Sequence, residues 1–507
     1  MRFVFAFFLA VSVGAADSDK VLFDFESGTF QGWRVEGENP FGETPFRAAG
    51  VVPKWRADRN FSGWQGNYMV IAGDTRRAPV PSGKIISQRF TITHSYLKFW
   101  FGGEVHPRVR VSLLVDGQEL RTAYGNNSYE MRLRGWDVSE LRGRTGRIEI
   151  ENTAGVASLM RLDHFHFSDK PPPPVGQFDE SRQESDALRY GELKHVFEPE
   201  PGHFVAHASI VRGLDRRWHM YAQIGLLADQ DKPENHKAIW HATASDLMGP
   251  WSKAERVLEA ESSAGESFLW QPFVMVHNKV YWMFYVGSGV PWKGWDRNNN
   301  WREKNFGKAS TQGPYGIHLA TSEDGVAWKR QSNLPLFTDS PFAFTPFVVP
   351  LRDEWIMFYA AAEPANIMGK HAIVTRTSPD LVQWQNRRVV LKDPTDTTPW
   401  PERSFFYSPV ILRRGRAWYL LAGPIDDRNQ ARLQYRKLFR SEHPMLWNVK
   451  RDLKGLFVEG SANFVQNESG AMFITHTGPY AGGVWIAPLL WNQVTTSKDF
   501  SVVGTAP

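Results

Sequence analysis

The fold is decided by five stretches of similar sequence: HASIVRGLDRRWHMYAQ (207–223), QPFVMVHNKVYWMFYVG (271–287), TPFVVPLRDEWIMFYAA (345–361), SPVILRRGRAWYLLAGP (408–424) and SANFVQNESGAMFITHTG (461–478). In each stretch an apolar run follows a small residue or a proline, and a polar turn leads to a second apolar or aromatic run. The second residues of the five stretches are 64, 74, 63 and 53 positions apart. Self-similarity at such a period indicates a repeat architecture, in which every unit packs on its neighbours.

Three of the repeats share a second half: HATASDLMGPW (241–251), HLATSEDGVAW (318–328) and VTRTSPDLVQW (374–384). In each, a strand ends in Ser and an Asp-containing turn leads to Trp. One repeat therefore predicts one four-stranded antiparallel sheet. Five such sheets predict an all-β fold, with a five-bladed β-propeller over residues 200–495. The alternative is a pair of β-sandwiches.

A run of four prolines at 171–174 separates the repeats from the preceding chain. Consecutive prolines form a stiff polyproline II spacer, so residues 169–199 are predicted to be a linker and lead-in. Residues 20–168 contain strand-like runs at 96–101 and 109–115 and alternating runs at 147–151 and 162–167, with turn signals between them. This pattern predicts an N-terminal β-sandwich of jelly-roll type.

The first sixteen residues are typical of a secretory signal peptide. Arg2 precedes a largely apolar run at 3–13, and the small residues 14–16 follow it. The alternative is an uncleaved anchor, but the run is too short to span a bilayer. The chain has no cysteine. We therefore expect an exported protein, periplasmic or extracellular, without disulfides.

The composition argues against several classes of partner. Of 507 residues, 59 are Lys or Arg and 54 are Asp or Glu, which gives a net charge of +5. These charges are scattered, so no nucleic-acid footprint is expected. No run in the rest of the chain approaches 18 apolar residues, so no membrane partner is expected. The 21 tryptophans favour a carbohydrate partner, because indole faces stack against sugar rings.

The repeat pattern resembles the five-bladed propeller glycoside hydrolases, chiefly families 32 and 43. Residues 23–28, followed by Gly32 and Trp33, look like the opening of a β-sandwich found ahead of some family 32 enzymes, and residues 162–169 continue that likeness. The resemblance implies a carbohydrate-binding-like front domain. It also implies catalytic acids at the starts of the innermost strands, where they converge on a central tunnel.

The sequence departs from the family pattern at each position where an acid is expected. His207 stands in place of the first Asp, Phe273 in place of the second, and Tyr407 in place of the Glu. Glycosidic hydrolysis usually needs two carboxyl groups, one that protonates the leaving oxygen and one that attacks or activates water. Two hypotheses follow: the acids have moved to neighbouring positions, or the propeller binds sugar without cutting it.

Acids that precede the inner strands are few. The predicted catalytic residues are Glu266, Asp339, Glu402 and His207, and the predicted substrate-binding residues are Trp270, Gln271, Trp295, Phe344, Tyr407, Glu459 and Asn463. His207 qualifies because a histidine can serve as acid or base near neutral pH. For each acid the alternative is a solvated loop residue or an ion pair. For His207 it is a hydrogen-bonded core residue.

Trp295 belongs to a polar loop that interrupts the second repeat and carries three tryptophans, at positions 292, 295 and 301. Loops on a rigid scaffold often carry function. We interpret this one as a sugar-stacking loop over the central pocket. The alternative is packing on a neighbouring blade or on the front domain.

The sequence contains no HExxH motif, which would indicate a zinc site, and no GxSxG motif, which would indicate a nucleophilic serine. Neither kind of catalysis is therefore supported. No cofactor is expected, with one open point: Glu26 and Asp163 could hold a structural calcium ion in the N-terminal domain, or could be plain surface acids. The sequence thus predicts an exported glycoside hydrolase that acts on a polysaccharide or oligosaccharide. The alternatives are a non-catalytic carbohydrate-binding propeller and a structural or partner-binding one.

Overall fold

The structure is a computed structural model, and it describes residues 19–48, 63–72, 81–103, 105–125, 128–154, 159–173, 188–227, 233–288, 315–339, 343–351, 353–363, 371–392, 406–424, 435–449, 451–459, 461–478, 481–491 and 500–501. Nearly all regular structure in these residues is antiparallel β-sheet, which confirms the all-β prediction. Three short 3-10 helices, Ser139–Leu141, Pro233–His236 and Ser262–Ala264, are the helices of the described part. Within it, no helix is long and apolar enough to cross a membrane.

The first twelve strands pair among themselves in two sheets. They are β1 (Lys20–Phe23), β2 (Trp33–Gly37), β3 (Phe46–Arg47), β4 (Tyr68–Ala72), β5 (Gly83–Ser87), β6 (Phe90–Thr91), β7 (Tyr96–Gly103), β8 (Val109–Val115), β9 (Gln118–Tyr124), β10 (Ser128–Asp137), β11 (Thr145–Asn152) and β12 (Met160–Ser168). One sheet has the order β10-β7-β12-β4-β3, with β1 on β12. The other has the order β2-β5-β11-β8-β9, with β6 on β11.

The two sheets share one apolar core. Alternate residues of β7, such as Phe99 and Phe101, and alternate residues of β8, such as Val111 and Leu113, are fully buried in it. Period-two alternation places these side chains on one face of each sheet, and burial of those faces holds the layers together.

The remaining strands form five further sheets. They are β13 (Leu188–Tyr190), β14 (Lys194–Phe197), β15 (His203–Arg212), β16 (Trp218–Leu226), β17 (Ala238–Ala244), β18 (Glu255–Glu259), β19 (Phe268–His277), β20 (Val280–Ser288), β21 (Gly316–Ser322), β22 (Lys329–Arg330), β23 (Phe337–Thr338), β24 (Ala343–Leu351), β25 (Glu354–Ala362), β26 (His371–Ser378), β27 (Gln385–Leu391), β28 (Phe406–Arg414), β29 (Ala417–Pro424), β30 (Tyr435–Ser441), β31 (Leu453–Glu459), β32 (Ser461–Gln466), β33 (Met472–Thr477), β34 (Val484–Trp491) and β35 (Phe500–Ser501).

Each of these sheets begins with one of the repeated stretches. The first four sheets run β15-β16-β17-β18, β19-β20-β21-β22, β24-β25-β26-β27 and β28-β29-β30-β31, and the last contains β32-β33-β34. The first strands contact one another in a closed ring, β15 to β19 to β24 to β28 to β32 and back to β15. The starts of the five repeats therefore lie around a common centre.

Two strands that precede the first repeat complete the outer edge of the last sheet. Strands β13 and β14, which come before the first repeat, pair with β34 at the outer edge of the last sheet. This pairing covers an edge that would otherwise offer unpaired backbone groups. It also ties residues 188–197 to the last sheet. A separate backbone bridge between Val205 and Gly478 joins the first and last repeats.

Candidate functional site

Four of the five inner strands carry the same backbone irregularity. His207, Gln271, Thr345 and Ser408 have φ values of 53°, 53°, 54° and 48°, in the left-handed region. At each one the pairing with the next strand shifts register, as in a β-bulge. In the described residues of the fifth sheet, β32 pairs with β33 without a shift. Because bulges re-aim side chains and non-glycine residues with positive φ are strained, the four positions mark a candidate site.

Hydrogen bonds link these positions from sheet to sheet. Gln271 Oε1 accepts a hydrogen bond from the amide of Thr345 at 3.0 Å, and Thr345 Oγ1 accepts one from the amide of Ser408 at 3.2 Å. Arg436 of β30 is buried and donates from Nη1 to the carbonyl of Ser408 at 2.5 Å. Side chains of one sheet thus hold the backbone of the next, which fixes the geometry around the centre.

His207 lies within electrostatic range of Arg436 and His236. Burial, together with the positive charges of Arg436 and His236, lowers the pKa of His207 to about 3. The imidazole is therefore neutral near pH 7 and can accept a hydrogen bond there, but it is a much weaker base than an ordinary histidine. His236 is itself buried, and its Nδ1 lies 3.1 Å from Gln223 Nε2.

An aromatic cluster stands beside this ring. The ring of Trp270 packs at 4.6 Å from Phe268, at 6.2 Å from Phe344 and edge-on at 5.4 Å from His236. Tyr315 contacts Phe268 and Phe344 at 5.3 and 5.4 Å. Trp270 and Phe344 are 7% and 4% exposed. Two of the predicted substrate-binding residues, Trp270 and Phe344, are thus brought together, but almost all of their surface contacts protein.

Glu266 occupies a closed pocket of polar groups within the second sheet. Its carboxylate accepts hydrogen bonds from Tyr285 Oη at 2.6 Å and from Arg330 Nη2 at 2.7 Å. The amide of Glu261 donates to it at 3.3 Å, and His318 Nδ1 lies 3.7 Å away. The side chain is 0% exposed. Burial and the adjacent carboxylate raise the pKa of Tyr285 well above its usual range, so the phenol stays a donor.

Asp339 has a corresponding environment in the third sheet. Tyr359 donates to its Oδ2 at 2.5 Å, Arg376 donates to its Oδ1 at 2.9 Å, and Arg387 donates to its Oδ2 at 3.1 Å. Tyr285 and Tyr359 occupy the same position of the repeat. Two of the predicted acids therefore form matching carboxylate–tyrosine–arginine clusters, each at the start of a sheet.

The remaining predicted site residues do not belong to these clusters. Asn463 uses its Oδ1 to accept the amide of Phe464 at 2.8 Å. Tyr407 lies in β28 opposite Gly423, and Glu459 ends β31 opposite Tyr435. Glu402 and Trp295 lie outside the described residues.

The predicted calcium position contains a buried acid. Asp163 is fully buried; its Oδ2 accepts the amide of Gln65 at 2.7 Å, and its Oδ1 has no hydrogen-bond partner. Burial, with the negative charges of Glu26 and Asp24, raises the pKa of Asp163 to about 7. Glu26 is bound nearby by the amides of residues 67 and 68 at 2.8 Å. No group of three or more His, Cys, Asp or Glu side chains suited to a metal ion occurs in the part of the chain that the structure describes.

Sequence reasoning missed Arg436, His236 and Gln223. Arg436 belongs to a third strand, Gln223 to a second strand, and His236 to a 3-10 helix. Arg436 gave no distinct signal, because β30 reads YRKLFRS and holds three basic residues. None of the three residues could be found, because the contacts that gather them join distant parts of the chain.

Comparisons with known proteins give limited likenesses. No protein-family model matches the chain. A provisionally named glycosyl hydrolase of Aspergillus rugulosus, ecdE, is 29% identical over 162 residues, which is 31% of this chain and 22% of that protein. The uncharacterized protein Rv1502 of Mycobacterium tuberculosis is 27% identical over 157 residues, 30% of this chain and 45% of that protein. The chain thus spans less than half the length of these curated relatives.

Several solved structures are also similar. A thermostable family-43 glycoside hydrolase has a TM-score of 0.40 at 15% identity, over 58% of this chain and 92% of that one. An endo-arabinase from Bacteroides thetaiotaomicron has a TM-score of 0.43 at 11% identity, over 58% and 97%. The GH32 β-fructofuranosidase BmSUC1 of Bombyx mori has a TM-score of 0.43 at 14% identity, over 60% and 61%.

Proposed function

We propose that this protein is an exported glycoside hydrolase that acts on a polysaccharide or oligosaccharide. Its repeats would form a five-bladed β-propeller, and its first domain a carbohydrate-binding-like β-sandwich. The similarity to a protein named as a glycosyl hydrolase supports a glycosidase. The observation that carries the proposal is the ring of four strained residues, His207, Gln271, Thr345 and Ser408, at equivalent positions in the first halves of neighbouring inner strands.

In this proposal the neutral imidazole of His207 accepts a hydrogen bond from the water that attacks the sugar and so orients it. An acid protonates the leaving oxygen, and the proton of the attacking water passes to solvent. The oxygens of Glu266 and Asp339 are already bonded to tyrosine and arginine donors. We therefore assign these two acids to positioning, and propose Glu402, five residues before Tyr407 in the sequence, as the proton donor.

The test uses His207→Gln and Glu402→Gln in the full chain, with reducing-sugar release measured on a panel of polysaccharides and oligosaccharides. Glutamine should fit at position 207, because Gln271 adopts the same φ of 53° at the equivalent position of the next repeat. Loss of the general acid in Glu402→Gln should lower kcat by about 10²–10⁴-fold. Loss of the orienting imidazole in His207→Gln should lower it by about 10²-fold. His203→Gln, at the start of the same strand, is the matched control.

Release that disappears in both site variants and persists in His203→Gln supports the proposal. Release that persists in His207→Gln overturns the role of His207. Unchanged activity in Glu402→Gln returns the donor role to Glu266 or Asp339. Absence of release from every substrate, with sugar still bound, contradicts hydrolysis.

The second candidate function is carbohydrate binding without catalysis. One observation favours it: none of the four ring positions in the described structure carries a carboxylate. Binding that is lost in His207→Gln, without release in the unaltered protein, would establish this alternative.

A further inference from the structure

The N-terminal domain carries a groove on the outer face of its second sheet. It has a volume of 320 Å³, near the lower end of the range for small-ligand sites, about 300–1,000 Å³. The groove is lined by residues of β2, β5 and β11 and of the turn after β5: Gly32, Trp33, Arg34, Ile86, Ser87, Gln88, Arg89 and Arg147. Three of these eight residues are arginines and none is acidic, so the groove is electropositive.

Two of the arginines have no counter-ion in the part of the chain that the structure describes. Arg34 pairs with Glu36. The side chains of Arg89 and Arg147 make no hydrogen bond or ion pair among the described residues, and Arg89 is exposed. A guanidinium presents a planar fork of donors that matches a carboxylate or a sulfate in two parallel hydrogen bonds. The groove therefore offers unused donors for an oxyanion.

One tryptophan, Trp33, is among the residues that line the groove. Its ring packs against the core of the two sheets, at 5.0 Å from Phe23 and at 5.5 Å from Phe25, and the residue remains partly exposed. Gln88 offers an amide to the groove, and Gly32 has a φ of 84°. A side chain at position 32 would crowd Gln88, because an added Cβ would lie 3.3 Å from it.

The rest of this sheet face limits what the anion can be. Beyond the groove the face carries carboxylates, Glu36 and Glu149, both paired with Lys84. A densely charged strand such as a nucleic acid would run from the arginines onto these acids and lose affinity there. A ligand with an isolated acidic group fits better.

We propose that this groove binds an acidic sugar unit, a uronate or a sulfated residue, of the polysaccharide that the protein acts on. The choice of a sugar over other small anions rests on the proposed carbohydrate function. The groove belongs to the N-terminal domain, away from the ring of inner strands. It would anchor the polymer while the ring binds another part of it.

The test is calorimetric titration of the full chain with oligogalacturonate, with a sulfated carrageenan oligosaccharide and with neutral arabino-oligosaccharide. We expect binding of one acidic ligand and not of the neutral one. Arg89→Gln and Arg147→Gln should each weaken it about tenfold, the effect of losing one charge-assisted hydrogen bond. Arg144→Gln is the matched control, because it removes the same charge three residues from Arg147 but from a guanidinium paired with Asp116 at 2.6 Å.

Equal weakening in Arg144→Gln would overturn the inference, since it would show general charge attraction. So would tight binding of single-stranded DNA in place of the sugars, or no binding of either acidic sugar. The outcome is separable from the proposed function. The groove variants should keep release from a short oligosaccharide, whereas His207→Gln should lose release and keep acidic-sugar binding.

Discussion

Asp163 is a buried acid whose charge should change the stability of the N-terminal domain. Its pKa is raised to about 7 in the folded protein, against 3.8 for an unperturbed aspartate. Between these values the folded state holds a proton that the unfolded state releases, so stability should fall as the pH rises from about 4 to about 7. The slope approaches 1.4 kcal/mol per pH unit for a single group. This loss of stability is measured by thermal unfolding of the wild type and of Asp163→Asn at about pH 5 and pH 8.

The expected result is a Tm that drops toward pH 8 in the wild type and drops less in Asp163→Asn, since an amide does not ionise. An equal drop in both proteins would contradict the assignment to Asp163.

Calcium provides a second measurement. If the ion binds Glu26 and Asp163, calcium at pH 8 raises the Tm of the wild type and leaves that of Asp163→Asn unchanged.

At the scale of the element, Glu266 connects the segment before β19 to its own sheet through hydrogen bonds with Tyr285 of β20 and Arg330 of β22. Removing its charge by Glu266→Gln leaves Arg330 without its closest carboxylate. Breaking a buried ion pair costs about 3–5 kcal/mol, and we expect about 3 kcal/mol because Arg330 keeps some solvent contact. Urea unfolding measures the loss. Glu261→Gln is the control, since it removes an exposed partner of the same arginine at 3.2 Å and should cost less than about 1 kcal/mol.

The activity of Glu266→Gln separates positioning from catalysis. A positioning role predicts lower stability with activity per folded molecule retained. A stable but inactive Glu266→Gln protein would make Glu266 the catalytic acid, and our assignment would be wrong.

The inner strands also show how much of the structure can be predicted from the sequence. A polar residue before Ala208, Pro272, Pro346 and Pro409 was visible in the repeats, and the bulges fall at these four residues. The period of the repeats predicted the strand pairs because apolar patterning is local. The arginines that bind Glu266 and Asp339 come from third and fourth strands, 37 to 64 residues away. Such pairings depend on how strands are placed across a sheet, which local patterns do not encode.

Across the whole molecule, the N-terminal domain packs against the last sheet of the ring. Tyr124 of β9 meets Trp485 of β34 edge-on at 5.2 Å, and Trp485 is fully buried. Arg134 donates to Glu192 at 2.9 Å across the same junction. Val105 belongs to the apolar core of the ring. The sequence offered no sign of this junction, because its residues come from segments that share no motif.

This shared core predicts that the two parts of the molecule unfold together. Calorimetry of the wild type should show one transition, because the junction couples the domains. Tyr124→Ala removes the ring that meets Trp485, at a cost of about 2 kcal/mol for a partly buried aromatic, and should separate the N-terminal transition from that of the ring. Tyr124→Phe keeps the ring and should keep one transition. Two transitions in the wild type, or one unshifted transition in Tyr124→Ala, would show that the contact does not couple the domains.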